Sequence, residues 1–166
     1  IRELLLRHLD LARWQGHERM TGEEFRRLYR LAPGAIAELL STQGYYEPSV
    51  ETALDEEAGR LVARIKVAPG EPVRVASVRI EFTGALAAED PDGARKIDRL
   101  RAGWPLAPGA VFRHEEWEEG KRGLLLNLAL DRYPLASIAS SQAAVHAGSR
   151  SAVLEVVVDS GPAARF

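Results

Sequence analysis

The chain reads as an α+β protein built twice, as two small modules in tandem, each a sheet covered on one face by two helices. Two observations predict this. First, Gly44-Tyr45-Tyr46-Glu47-Pro48-Ser49-Val50 returns as Arg132-Tyr133-Pro134-Leu135-Ala136-Ser137-Ile138, with Tyr45 matching Tyr133, Pro48 matching Ala136 and Val50 matching Ile138 at one offset. Second, each copy follows an apolar helical pattern and precedes a pair of alternating segments, closing on Val67-Ala68-Pro69-Gly70 and on Val158-Asp159-Ser160-Gly161. A repeat at this spacing sets the domain count. The second hairpin is three residues longer than the first, and the simplest place for all three is its turn.

Composition bounds the rest. The chain has 166 residues, 46% hydrophobic and 28% charged, the balance of a folded chain rather than a disordered one. A net charge of −2 provides no global field for nucleic acid or an anionic membrane. Without cysteine there is no disulfide framework and no thiol chemistry. No apolar run reaches the roughly 18 residues that span a bilayer. A start at Ile1 inside a helical pattern and a finish just beyond a strand fit a segment of a longer protein.

In the first module, Ile1, Leu4, Leu5, Leu9 and Ala12 recur at helical spacing and predict one helix from Ile1 to Trp14, ended by Gly16. Thr21 and Glu24 form a capping-box pattern. The helix behind it carries Phe25, Leu28, Tyr29, Ala32, Ile36, Leu39 and Leu40 in one phase through Pro33, which predicts one kinked helix rather than two helices. Gly44 stands where a C′ glycine belongs. Val50, Thr52 and Leu54 alternate with Glu51, Ala53 and Asp55, Glu56 to Gly59 turns, and Leu61, Ala63, Ile65 and Val67 alternate with Val62, Arg64 and Lys66. That is a hairpin with one face toward the helices. Two strands make a thin sheet, so the first module is expected to lack its opening strand.

The second module supplies that strand. Val73 and Val75 share one parity and Val78, Ile80 and Phe82 the other, so a bulge is expected at Ala76-Ser77. Asp90-Pro91-Asp92 reads as a helix start, with the helix running to about Arg101. A second helix is expected from about His114 to Leu130, burying Trp117, Leu124, Leu125 and Leu128, with Phe112 and Trp117 spaced as a hydrophobic staple. Gly120 and Gly123 inside it cost about 1 kcal/mol each against alanine, which close approach of a neighbour would explain. Ala136 to Val145 is weakly apolar and rich in serine, whereas Val153 to Val158 is apolar on both parities. The last strand is therefore expected in the middle of a three-stranded sheet and the serine-rich one at its edge.

Catalytic patterns are weak. Glu115, Glu116, Glu118 and Glu119 form a carboxylate cluster, but acids in the first turns of a helix favour its dipole and read as a solvated face. His8, His17, His114 and His146 show no ligand spacing, and neither a phosphate-cradling loop nor a nucleophile elbow is present. The strands lack stacking aromatics for RNA, and Arg26, Arg27 and Arg30 read as solvated surface. The expectation is a protein without catalysis, cofactor, metal or nucleic-acid partner.

A tandem strand–helix–helix–strand–strand unit with these junction motifs resembles the polypeptide-transport-associated (POTRA) domain. The resemblance is carried by Gly44 to Val50, Gly70 to Val78 with Phe82-Thr83-Gly84, Gly109 to Phe112, Tyr133 to Ile138 and Val158 to Pro162, and it is nearest to the TamA family of outer-membrane assembly proteins. Arg132 departs from it, since the family carries glycine before the tyrosine. The resemblance implies a POTRA-like β-α-α-β-β fold, with a truncated first module at 1–70, a second at 71–161, and a third beginning in 162–166. It further implies a place on the periplasmic face of the outer membrane of a Gram-negative bacterium, with membrane contact only through a C-terminal barrel absent from this sequence. The implied partners are a TamB-like inner-membrane-anchored protein and unfolded β-barrel clients. The POTRA region of a two-partner secretion transporter, or modules acting as passive spacers, are the alternatives. Because an exposed edge offers unpaired backbone groups, the candidate partner-binding residues are Ser49, Val50, Glu51, Thr52, Ala53 and Leu54 in the first module. Their counterparts in the second are Ser137, Ile138, Ala139, Ser140, Ser141 and Gln142.

Overall fold

The computed structural model describes residues 1–17 and 19–164. The chain divides into two compact units, Ile1–Pro72 and Val73–Phe166. Unit 1 contains α1 (Arg2–His8), α2 (Asp10–Arg13), α3 (Gly22–Thr42), β1 (Ser49–Glu57) and β2 (Arg60–Ala68). Unit 2 contains β3 (Arg74–Thr83), α4 (Ala85–Ala88), α5 (Gly93–Ala102), α6 (His114–Asp131), β4 (Ser137–His146) and β5 (Ser151–Asp159).

In unit 1 the expected helix over Ile1–Trp14 is broken. Leu9 takes an extended conformation (φ −77°, ψ 118°) between α1 and α2. The break turns Leu9 and Leu11 into the core, each 7% exposed, a pair that one straight helix would send in divergent directions. The long helix α3 is continuous through Pro33, as its sequence predicts. Thr21 Oγ1 accepts the Glu24 amide at 3.2 Å, while the Glu24 carboxylate turns outward to Arg27, so only half of the capping box forms. The helix passes through Pro33 and buries Leu28, Ala32, Ile36 and Leu40. It ends in a Schellman motif: Gly44 (φ 92°) donates to Ser41 and Tyr45 to Leu40, both at 3.0 Å.

The strands β1 and β2 pair antiparallel from Ser49↔Ala68 to Glu57↔Arg60. The expected turn over Glu56–Gly59 is corrected: Glu56 and Glu57 extend β1, and only Ala58 (φ 49°) and Gly59 (φ 74°) turn, both left-handed as a two-residue hairpin requires. Val50, Ala63, Ile65 and Val67 pack against the helical core.

In unit 2 the sheet order is β3-β5-β4, with β5 parallel to β3 and antiparallel to β4. The apolar last strand is central and the serine-rich one is an edge. The bulge in β3 falls between Val75 and Ser77 as expected. A second bulge, between Ile138 and Ser140, was not foreseen. It corrects the expectation for the longer hairpin: one of the three extra residues is Ala139 in the strand, and the other two lengthen the turn, which spans 147–150 rather than the two residues of unit 1. The Asp90-Pro91-Asp92 start is also corrected. Asp90 Oδ1 accepts the Asp92 amide in a local turn, and α5 begins at Gly93, behind the short helix α4. Leu125 is only half-buried, while Trp117, Gly120, Leu124 and Leu128 face the core. Gly120 meets the expected close neighbour, since a Cβ there would lie 2.7 Å from the Trp104 ring. A Cβ at Gly123 would meet nothing within 4 Å.

Candidate strand-docking edges

Each sequence-predicted residue lies on a strand edge. Ser49 to Leu54 form most of β1, which pairs only with β2 among the described residues. Ser137 to Gln142 form the first half of β4, which among the described residues pairs only with β5. The two sets lie in separate units.

Four strands bound these two sheets, β1 and β2 in unit 1 and β3 and β4 in unit 2, and their outer edges are treated differently. The outer edge of β3 is occupied. Gly109 donates to the Val75 carbonyl (2.8 Å), Val75 donates to Ala110 (2.9 Å) and Phe112 donates to Val73 (2.9 Å). Further along, Arg101 Nε and Nη2 both donate to the Ile80 carbonyl, at 3.1 and 2.9 Å. A guanidinium thus stands where an added strand would bring an N–H.

By contrast β4 is ten residues long with no acid, lysine, arginine or proline. Ser137, Ala139, Ser140, Ser141 and Gln142 are all exposed. Charge and proline are the usual protections of an edge, and here only the bulge at Ala139 remains. Beneath it, Leu154, Val156 and Val158 of β5 are buried, so the strand rests on a firm base.

The edge strand β1 is of a third kind, carrying Glu51, Asp55, Glu56 and Glu57. Lys66 pairs with Glu51 at 3.3 Å, and Arg64 pairs with both Asp55 and Glu57. On the other side of this sheet a groove of about 420 Å³ lies between α1 and β2, lined among others by Leu5, Leu9, Phe25, Leu61 and Ile65. In unit 2 the strand at the corresponding side of the hairpin is β3.

The junction that leads into β4 is held by a polar cluster that sequence reading missed. Tyr133, 1% exposed, donates its hydroxyl to Asp90 Oδ2 at 2.6 Å. Lys96 bridges Asp90 (2.9 Å) and Asp131 (2.6 Å). The hydroxyl of Tyr133 and the ammonium of Lys96 hold the Asp90 carboxyl far below the ordinary carboxylate range. Burial, reinforced by Asp90, pushes the Tyr133 hydroxyl up to about 12. Hydrogen bonds to Asp131 and then Asp90 raise Lys96. Arg132, where the repeat has Gly44, takes φ −141° instead of a left-handed conformation, yet Tyr133 donates to Leu128 (3.0 Å) as Tyr45 does to Leu40. The only local signal was Tyr133 in the repeated motif. Its partner lies 43 positions away.

The residues raised for catalysis are placed as surface. Glu116 pairs with Arg113 and Glu118 with Lys121 along α6. Among the described residues no three His, Asp or Glu side chains could share a metal ion, and no helix is long and apolar enough to cross a membrane.

Comparison with solved structures finds BamA POTRA3-5 of Haemophilus influenzae at 18% identity, covering 87% of this chain and 53% of that one, with a TM-score of 0.46. BamA of Haemophilus ducreyi lacking POTRA domains 1-3 is 14% identical, covering 96% and 27%, TM-score 0.44. POTRA1-3 of the periplasmic domain of Omp85 from Anabaena is 16% identical, covering 80% and 50%, TM-score 0.40. The chain spans about half the length of the first of these. At the level of sequence families, residues 1–69 match the POTRA domain described as TamA domain 1. The first unit is thus similar, over residues 1–69, to a POTRA domain of the TamA type.

Proposed function

We propose that both units are periplasmic protein-binding modules of an outer-membrane assembly factor, and that they engage extended segments by strand addition at β4 and β1. The uncharged, proline-free outer edge of β4 carries this reading, set against a β3 edge already occupied by Arg101 and the 109–112 loop. Backbone pairing supplies affinity with little demand on sequence, which suits a module that meets many clients. The partners are unfolded β-barrel chains and a TamB-like inner-membrane-anchored protein.

The test is photocrosslinking in the native envelope, with probes at Ser49, Ser137 and Ser140 of the full-length protein. Capture of β-barrel precursors or of an inner-membrane-anchored protein at these positions is the expected result. A folded, abundant protein that captures nothing at all three would make the modules spacers.

A further inference from the structure

We propose that the β1 edge of unit 1 selects extended segments carrying Lys or Arg at alternate positions, while the β4 edge of unit 2 is indifferent to charge. The inference rests on strand addition as read above and adds what the occupant must look like.

The argument starts from side-chain rows. On the sheet face away from the helices, β2 presents Arg60, Arg64 and Lys66, and β1 presents Glu51, Asp55 and Glu57. The sheet is therefore striped, a cationic row beside an anionic one. The three acids keep 69%, 48% and 55% of their side-chain surface exposed despite their partners in β2. A strand added outside β1 brings its own side chains within about 5 Å of this row, as cross-strand neighbours. Cations there continue the alternation of charge, and acids there meet like charge across the whole row. Matching Glu51, Asp55 and Glu57 requires cations at three of four successive same-face positions, with uncharged residues between. The same charges decide which side of unit 1 is used, because the opposite edge, β2, presents Arg60, Arg64 and Lys66 and repels that occupant.

Unit 2 has no such row. The open-face residues of β4 within the candidate edge, Ser140 and Gln142, are uncharged. The repeat thus presents one geometry with two chemistries.

The experiment uses the 166-residue chain with a photoreactive residue at Thr52 on β1 or Ser141 on β4, both exposed. The probes are two ten-residue peptides of alternating Thr and Val, one with Lys and one with Glu at three same-face positions. The Lys peptide is expected to label the Thr52 site about tenfold more efficiently than the Glu peptide, the sum of three exposed cross-strand pairs. That preference should shrink at high salt and in an E51Q/D55N/E57Q variant. Both peptides should label the Ser141 site alike. Equal labelling at Thr52 by both peptides, or labelling at Ser141 alone, overturns charge selection and leaves strand addition standing. No labelling at either site removes strand addition itself, and charge selection with it.

Discussion

Replacing Tyr133 by phenylalanine removes one of three donors to Asp90 and leaves the ring in place. The Asp90 side chain is only 6% exposed and accepts from Tyr133 (2.6 Å), Lys96 (2.9 Å) and the Asp92 amide (2.9 Å). A hydrogen bond to a buried charge contributes about 2 kcal/mol. With a urea dependence of about 1.5 kcal/mol/M for a unit of this size, the unfolding midpoint should fall by roughly 1 M. Fluorescence of the edge-to-face Trp104–Trp117 pair reports on unit 2, in a Trp14→Phe background that silences unit 1. The pH profile adds a second signature. Asp90 is depressed below its ordinary 3.8, so its contribution is complete above that pH and is lost as pH falls further. Tyr133 is raised from 10.0 to about 12, so its contribution is complete below pH 10 and is lost as pH rises toward 12. The variant should narrow its deficit at acid pH and lack the alkaline limb. A midpoint within 0.3 M (about 0.5 kcal/mol) of the parent, with both limbs intact, would refute the reasoning.

Three further outcomes are expected. Gly120→Ala should destabilise unit 2 by about 1–3 kcal/mol because its Cβ meets the buried Trp104 ring, while Gly123→Ala should stabilise by up to about 1 kcal/mol; thermal melts of the pair decide. Gly84→Ala should lower expression and melting temperature, since φ is 82° and a Cβ would stand 2.5 Å from Asp159 Oδ1 and 2.9 Å from the Gly161 amide. Arg101→Ala should free the Ile80 carbonyl and promote edge-to-edge association through β3, read as a concentration-dependent sedimentation shift.

What the sequence determined by itself is what depends on near neighbours along the chain. The phase of α3 through Pro33, the Gly44 cap, a turn ending at Gly59 and the bulge at Ala76 all follow from side-chain periodicity and from residues that tolerate particular dihedrals. Even the centrality of β5 was legible, because a strand flanked on both sides has even its open-face side chains partly covered by neighbouring rows and can be apolar on both parities. The tandem motif carried the fold class and the position of both candidate edges. The break at Leu9 was hidden because Leu4, Leu5, Leu9 and Ala12 fit one helix as well as two; the core in front of Leu9 and Leu11 decided between them. Tertiary structure alone decided that β3 runs parallel to β5, that Arg101 and the 109–112 loop close one edge, and that Gly120 seats Trp104. It also brought Tyr133 to Asp90. Periodicity records which face of an element is buried, but not what it is buried against. A polar side chain that finds its partner 43 residues away leaves no local pattern, since the bond exists only once the core has placed both groups.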